Sequence, residues 1–318
     1  MKTQAPRRAK RTSGLRVAIV GAGKVGQVLG RILYENGVPI TCVVSRTAKS
    51  AAAGGRFLGC KNVSTDLAAI PSATNLVFIS TPHSAVHDVA RSLALEQKLR
   101  FRGLSVCHAS GMFTAEALLP LKKRGATVFS FHPLQTFPRD FPCRDILPSA
   151  RGIFFGVDGS PRALRRARQL AKLLEGYVFP VPPDKRVLYH AACVVASNHV
   201  TVLLWLLQGL CRSLGPYGSR SLAPFRPIIG TTIQNVLRAS PARALSGPVA
   251  RGGIDTVARH LEAVREFSPA FLQFFVHMTR ETVRLAQEKG GLPDGLDVSF
   301  EELLSSHTSG NVSTGGHS

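Results

Sequence analysis

An apolar run that stops in glycines constrains this chain more than any other feature: Val17-Ala18-Ile19-Val20-Gly21-Ala22-Gly23-Lys24-Val25-Gly26. A run that ends in G-x-G-x-x-G and passes straight into a helical pattern is the strand, turn and helix of a dinucleotide site. Gly21 permits the tight turn, Gly23 lets the backbone approach a pyrophosphate, and Gly26 lets the helix lie close to the strand, with Lys24 and Val25 at the helix start. The phosphates then face the free N–H groups of the helix N-terminus. A second apolar run, Ile40 to Val44, ends in Ser45, Arg46 and Thr47. An NAD enzyme usually places an acid there, on the ribose 2′-hydroxyl. A guanidinium and two hydroxyls suit a 2′-phosphate instead, so NADP is the expected cofactor; the competing reading of Arg46 is a solvated surface arginine.

With 318 residues and 44% hydrophobic content, the chain can bury a sizeable core, and its length suggests two domains. A net charge of +21 favours anionic partners without choosing among nucleic acid, a phosphorylated cofactor and an acidic substrate. The basic residues are spread along the chain, with no zinc-finger spacing, basic zipper or aromatic-interleaved RNA motif, so no specific nucleic-acid recognition is expected. Cys42, Cys60, Cys107, Cys143, Cys193 and Cys211 never form C-x-x-C, as expected of free thiols in a reducing cytoplasm; Cys107 reads as a packed strand residue. Residues 1–14 form a basic arm without the apolar stretch of a secretory signal. The apolar stretch from Ala191 to Leu210 approaches membrane-span length. Ser197, Asn198, His199 and Gln208 interrupt it, so a helix buried in a core or a dimer interface is expected, and no membrane.

Up to residue 182 short apolar runs alternate with helical stretches, the signature of a parallel α/β sheet covered by helices. Strands are expected at 17–20, 40–44, 76–80, 104–107, 128–131, 152–157 and 177–181, with a basic amphipathic helix from Pro161 to Glu175. After Pro182 and Pro183 everything reads as helix. The expected division is an arm (1–14), a Rossmann domain (15–182), a helical substrate and dimerisation domain (183–304) and a disordered tail (305–318).

In an open α/β sheet ligands bind beyond the carboxyl ends of the strands. Ser80, Thr81 and Pro82 follow one strand and would lie along the dinucleotide. His108-Ala109-Ser110-Gly111 follows the next, a small-residue turn in which Ser110 and Gly111 suit an anionic substrate. His132 follows a third, where an imidazole could exchange a proton at neutral pH with the reacting group; a histidine bonded to a neighbouring carbonyl is the alternative. His108 reads as structural. At about 100° per residue His190 and Ser197 are nearly eclipsed on the first long helix and Asn198 lies close by, so one face of an apolar helix carries three polar groups. Arg251, within the small residues Ser246 to Gly253, could hold a carboxylate bidentately.

Together HASG (108–111), SFHPLQTF (130–137), YHAACVVASNHV (189–200) and SGPVARGG (246–253) resemble the bacterial Rossmann-like proteins that carry a C-terminal domain of unknown function. That family is similar to the NADP-linked group of 6-phosphogluconate, β-hydroxyacid and prephenate dehydrogenases. The resemblance implies a 6-phosphogluconate-dehydrogenase-like all-helical C-terminal domain that dimerises. His132-Pro133 looks like the His-Pro pair of prephenate dehydrogenases, whose histidine contacts the substrate hydroxyl, and Asn198 like the asparagine of the β-hydroxyacid dehydrogenase helix. Four residues earlier those enzymes carry a catalytic lysine where this chain has Val194, which leaves His132 or His190 as the acid/base candidate. The expected function is NADP-dependent hydride transfer to or from a small anionic substrate; the alternative is a catalytically silent nucleotide-binding scaffold or regulator.

Overall fold

A computed structural model describes residues 14–215 and 222–307. The expected arm and tail lie outside the described residues except at their inner ends, and there Ser305 and Ser306 belong to the last helix rather than to a tail. The chain divides into two compact units, Met1–His199 and Val200–Ser318. The boundary expected after residue 182 falls too early, because the next helix is bonded into the first unit through Arg186 and Tyr189.

The first unit opens with β1 (Val17–Val20), α1 (Lys24–Glu35), β2 (Ile40–Val44), α2 (Ala48–Leu58), β3 (Val63–Ser64), β4 (Leu76–Ile79), α3 (Val86–Leu95), β5 (Ser105–His108), α4 (Leu119–Lys123) and β6 (Thr127–Ser130). The six strands form one parallel sheet in the order β3-β2-β1-β4-β5-β6, the doubly wound Rossmann order, which reverses between β1 and β4. Strands buried on both faces explain the unbroken apolar runs. Alternate residues feed different cores: Ile19, Phe78 and Phe129 pack with α1, while Val20, Ile79 and Val128 pack with α3. The register pairs Val20 with Ile79, Ile79 with His108 and His108 with Ser130, so the segments after β1, β4, β5 and β6 emerge along one edge.

Past Phe131 the chain leaves this sheet. β7 (His132–Pro133) pairs antiparallel with β8 (Phe154–Val157), which runs parallel to β9 (Tyr177–Pro180). Between β7 and β8 lies α5 (Cys143–Ile146), and α6 (Pro161–Leu173), capped by Ser160, crosses from β8 to β9. The expected strand 128–131 is β6, and β7, which follows at once in the smaller sheet, was not expected; Pro133, with no N–H to donate, occupies the edge of that sheet. α7 (Arg186–Val194) and a π-helical turn (Val195–His199) end the unit.

The second unit contains α8 (Val200–Arg212), α9 (Arg226–Arg238), α10 (Pro241–Ala244), α11 (Ile254–Phe267), α12 (Pro269–Glu288) and α13 (Leu296–Ser306). Val257, Leu261, Leu272, Val276, Phe300 and Leu304 form its core. Of the two expected places for the apolar helix, a core or a dimer interface, the core is corrected: Pro183–Arg212 is long and apolar enough to cross a membrane, with mean hydropathy 1.5, yet none of its apolar window is buried within the chain. Val202, Leu203 and Trp205 stand exposed on α8.

Candidate functional site

The glycine turn after β1 is built against the segment after β4. Ser80 N–H donates to Val20 O at 2.7 Å and its hydroxyl donates to Gly21 O at 2.7 Å, so Ser80 braces the turn. Gly21 has φ +105°, and a Cβ there would lie 2.7 Å from the Ser80 carbonyl carbon. A Cβ on Gly26 would run into Gly21 O and Ser80 Oγ. At Gly23, the N-cap of α1, a Cβ would meet nothing within 4 Å. The Thr81 hydroxyl oxygen, next in the chain, is buried without a hydrogen-bond partner. An open glycine at a helix N-terminus beside an orphaned buried hydroxyl fits a phosphorylated dinucleotide, which would supply the missing partners. Pro82 follows at the exposed rim; Val25 is half-buried and Lys24 donates its ammonium to Phe141 O at 2.5 Å.

Past β2, Ser45 N–H pairs with Ser64 O, while the Thr47 hydroxyl caps α2 by accepting from Ser50 N–H at 3.2 Å. Arg46 is exposed and has no hydrogen bond or ion pair among the described residues. It is the one cation of this trio free to meet a 2′-phosphate.

Three strand spacings from β1, about 14 Å, β6 ends, and two residues past it His132 opens β7. Its Nδ1 lies 2.7 Å from the Tyr189 hydroxyl, with the two rings perpendicular. His190 approaches the same imidazole edge-on at 6.1 Å. Gly111 closes the other side: a Cβ there would lie 2.5 Å from His190 Cδ2 and 2.9 Å from His132 Nε2. His132, His190 and Gly111, separate candidates in the sequence, lie together here, along with a residue the sequence did not single out, Tyr189. Tyr189 stood inside a quoted motif, but a tyrosine beside an apolar helix run reads as core.

Proton exchange by His132 at neutral pH is corrected. Burial, then the Arg186 and His190 charges, lowers its pKa from 6.5 to about 3, so the ring is neutral at pH 7. Burial raises the Tyr189 phenol above its ordinary range. A phenol donating to Nδ1 leaves the imidazole hydrogen on Nε2, facing Gly111. His108 is structural: fully buried, it donates Nε2–H to Thr114 O at 2.9 Å and accepts Ser110 N–H on Nδ1 at 3.2 Å. Ser110 accepts Met112 and Phe113 N–H on its hydroxyl oxygen, which stabilises the turn and leaves only its O–H hydrogen for a ligand. Burial drives the Cys107 thiol well up, so it is an inert packed residue.

The expected eclipsing of His190 and Ser197, with Asn198 close by, is also corrected. It assumes a regular α-helix, and Val195–His199 is a π turn with i→i+5 bonding, which changes the angular spacing. Asn198 is exposed there. Arg251 lies in the second unit at the end of a 3₁₀ turn, Val249–Arg251, and is exposed.

A Rossmann sheet with a dinucleotide cradle at its switch point, followed by a bundle of helices, defines the class to which the chain belongs. The family described as a Rossmann-like domain matches residues 1–133, and a domain of unknown function, DUF2520, matches residues 153–282. The chain is a Rossmann-like protein with a DUF2520 domain, the family its four motifs resemble. No curated protein matches it. Among solved structures it is similar to a Bacteroides fragilis protein assigned as an NADP oxidoreductase, at 21% identity and TM-score 0.67 over 85% of this chain and 98% of that one. A Thermotoga maritima protein gives 22% identity and TM-score 0.63 over 84% and 98%. A reductive aminase from Aspergillus terreus, in complex with NADPH and ethyl-5-oxohexanoate, gives 15% identity and TM-score 0.58 over 96% of each chain. At these identities the likeness is one of fold.

Proposed function

We propose that this protein is an NADP-dependent oxidoreductase that passes a hydride between nicotinamide and a small anionic substrate, a hydroxy or keto acid or an imine. The observation that carries this reading is an open dinucleotide cradle at the carboxyl ends of β1 and β4 and a neutral His132–Tyr189 pair just beyond the carboxyl end of β6, the same end of the sheet. Gly21 to Gly26 and Thr81 hold the pyrophosphate, and Ser45, Arg46 and Thr47 receive the 2′-phosphate. NADP bound there supplies or accepts the hydride. His132 donates an Nε2–H hydrogen bond to the oxygen or nitrogen of the reacting bond and keeps its own proton, as a neutral imidazole can polarise a carbonyl; the proton that the reduced oxygen or nitrogen takes up comes from water, and Tyr189 fixes the tautomer. The O–H of Ser110 and the amide of Asn198 are the further groups proposed to orient the substrate. The similarity to structures named imine reductase and reductive aminase supports testing imines beside keto acids.

Purified protein is expected to oxidise NADPH with a member of a panel of keto acids and cyclic imines. His132→Ala should lower that turnover by roughly 100-fold or more and change NADPH affinity by less than about threefold. Binding of NADPH without turnover of any panel member would favour the silent scaffold. That second reading has an observation of its own, since Val194 replaces the lysine of the related helix and His132 does not titrate near neutrality. Arg46→Ala should weaken NADPH binding about 10-fold to 100-fold, the worth of a charge-assisted phosphate contact, and leave NADH binding unchanged. Equal thermal stabilisation of the wild type by NADPH and NADH would exclude the 2′-phosphate role.

The exposed faces of α8 and α9, with Val202, Leu203 and Trp205 on one and Ile228, Ile233 and Leu237 on the other, support a homodimer through the helical unit. Sedimentation should give twice the chain mass, and Trp205→Glu should give the monomer. The six free cysteines suit a cytoplasmic home.

A further inference from the structure

We propose that Arg186 is the positioning residue of this site: one buried guanidinium holds the Ser110–Gly111 turn, the β8 partner of His132 and the ring of Tyr189 in a single arrangement. The inference rests on reading the His132 cluster as the reactive cleft. Arg186 opens α7 and is 1% exposed. Its Nε donates to Gly111 O and its Nη2 to Ser110 O, each at 2.9 Å. Its Nη1 reaches Gly156 O at 3.5 Å, and Gly156 is the residue paired with His132 across β7 and β8. The guanidinium carbon lies 5.1 Å from the centre of the Tyr189 ring, one helical turn further on. A Cβ on Gly156 would run into the Tyr189 hydroxyl, so that glycine makes room for the phenol that meets His132.

The charge is balanced within the fold. Asp158 Oδ2 stands 3.5 Å from Arg186 Nη1 and accepts the Ser130 hydroxyl at 2.9 Å, while Oδ1 accepts Ala115 N–H at 2.6 Å. Burying such a pair gains little stability over apolar side chains of the same volume. Its distinguishing property is geometric: a planar fork engages two successive carbonyls of one turn, which a lysine ammonium cannot reproduce. The three groups Arg186 touches are those that flank His132, at Nε2, at Nδ1 and through the backbone. Its positive charge also adds to burial in keeping the imidazole neutral.

The test uses the full chain with ring-¹⁵N-labelled histidine. In the wild type His132 should give one neutral tautomer, without titration between about pH 5 and 8. The double variant Arg186→Met with Asp158→Asn removes both charges and leaves no unpaired buried ion. Its His132 signals should show mixed tautomers, and the pH at which they move should rise, since the lost Arg186 charge is one of the causes that lower the pKa. NADPH affinity, read on the same samples, should change by less than about threefold. Arg186→Lys keeps the charge and should still mix the tautomers, because the fork is lost. Unchanged His132 signals in a folded double variant would overturn the proposal; if that variant does not fold, unchanged signals in Arg186→Lys would do so. A wild type that fails to bind NADPH would refute the functional reading and leave the coupling of Arg186 to His132 still measured by the ring signals.

Discussion

Between pH 7 and pH 5 the first unit is expected to lose on the order of 4 kcal/mol of stability, an acid sensitivity centred on two histidines. Burial lowers His132 from 6.5 to about 3 and His108 from 6.5 to about 4. Both are held neutral in the folded state and titrate normally in the unfolded chain. As pH falls through 6.5 the unfolded chain binds protons that the native state does not, so each histidine removes up to about 1.4 kcal/mol per pH unit. The loss continues until the native groups titrate, near pH 4 for His108 and pH 3 for His132. Above pH 7 neither contributes a slope. Urea midpoints at pH 7, 6 and 5 measure this directly. A midpoint that stays level over that range would show that neither ring is held neutral, and His132→Gln should remove about half of the slope.

This sensitivity was not legible in the sequence, although the position of His132 was. A strand pattern followed by His-Pro puts an imidazole at a strand end, because alternation and proline chemistry are local. How deeply the ring is covered depends on Tyr189, Arg186 and β8, which reach it from 24 to 57 residues away in the chain. Arg186 is the clearest case of a hidden residue. Among 40 basic residues, nothing in the sequence distinguishes the one that is buried.

The same division holds for the sheet. β1, β2, β4 and β5 were readable as apolar runs bounded by turns, and the glycines after β1 located the cradle. α2 was not readable, because Gly54 and Gly55 in its middle look like helix breakers. Their reason is tertiary: a Cβ on Gly54 would lie 2.8 Å from the Ala22 Cβ, and one on Gly55 would strike Val63. The π turn at Val195–His199 was equally hidden, since an angular argument assumes the regular helix it is meant to locate.

Two glycines three positions apart, Gly23 and Gly26, separate the fold role of the β1 turn from its binding role. Gly26→Ala should damage both. Its methyl would meet the Gly21 carbonyl oxygen and Ser80 Oγ and come within 3.1 Å of the Ile19 side chain, all parts of the sheet's switch point. Overpacking against backbone costs about 1–3 kcal/mol or more, which lowers Tm by about 2–4 °C per kcal/mol for a unit of this size. It also forces α1 away from β1, so NADPH affinity should fall by more than about tenfold. Gly23→Ala meets no protein atom within 4 Å, and its backbone, with φ −77°, accepts a side chain. Its Tm without ligand should therefore stay within about 2 °C of the wild type, the shift of a surface substitution, while its methyl occupies the space a pyrophosphate needs. Thermal stabilisation by NADPH should disappear in Gly23→Ala. Undiminished stabilisation in that variant would mean that the nucleotide binds elsewhere, because at Gly23 the side chain has nothing to disturb except the ligand.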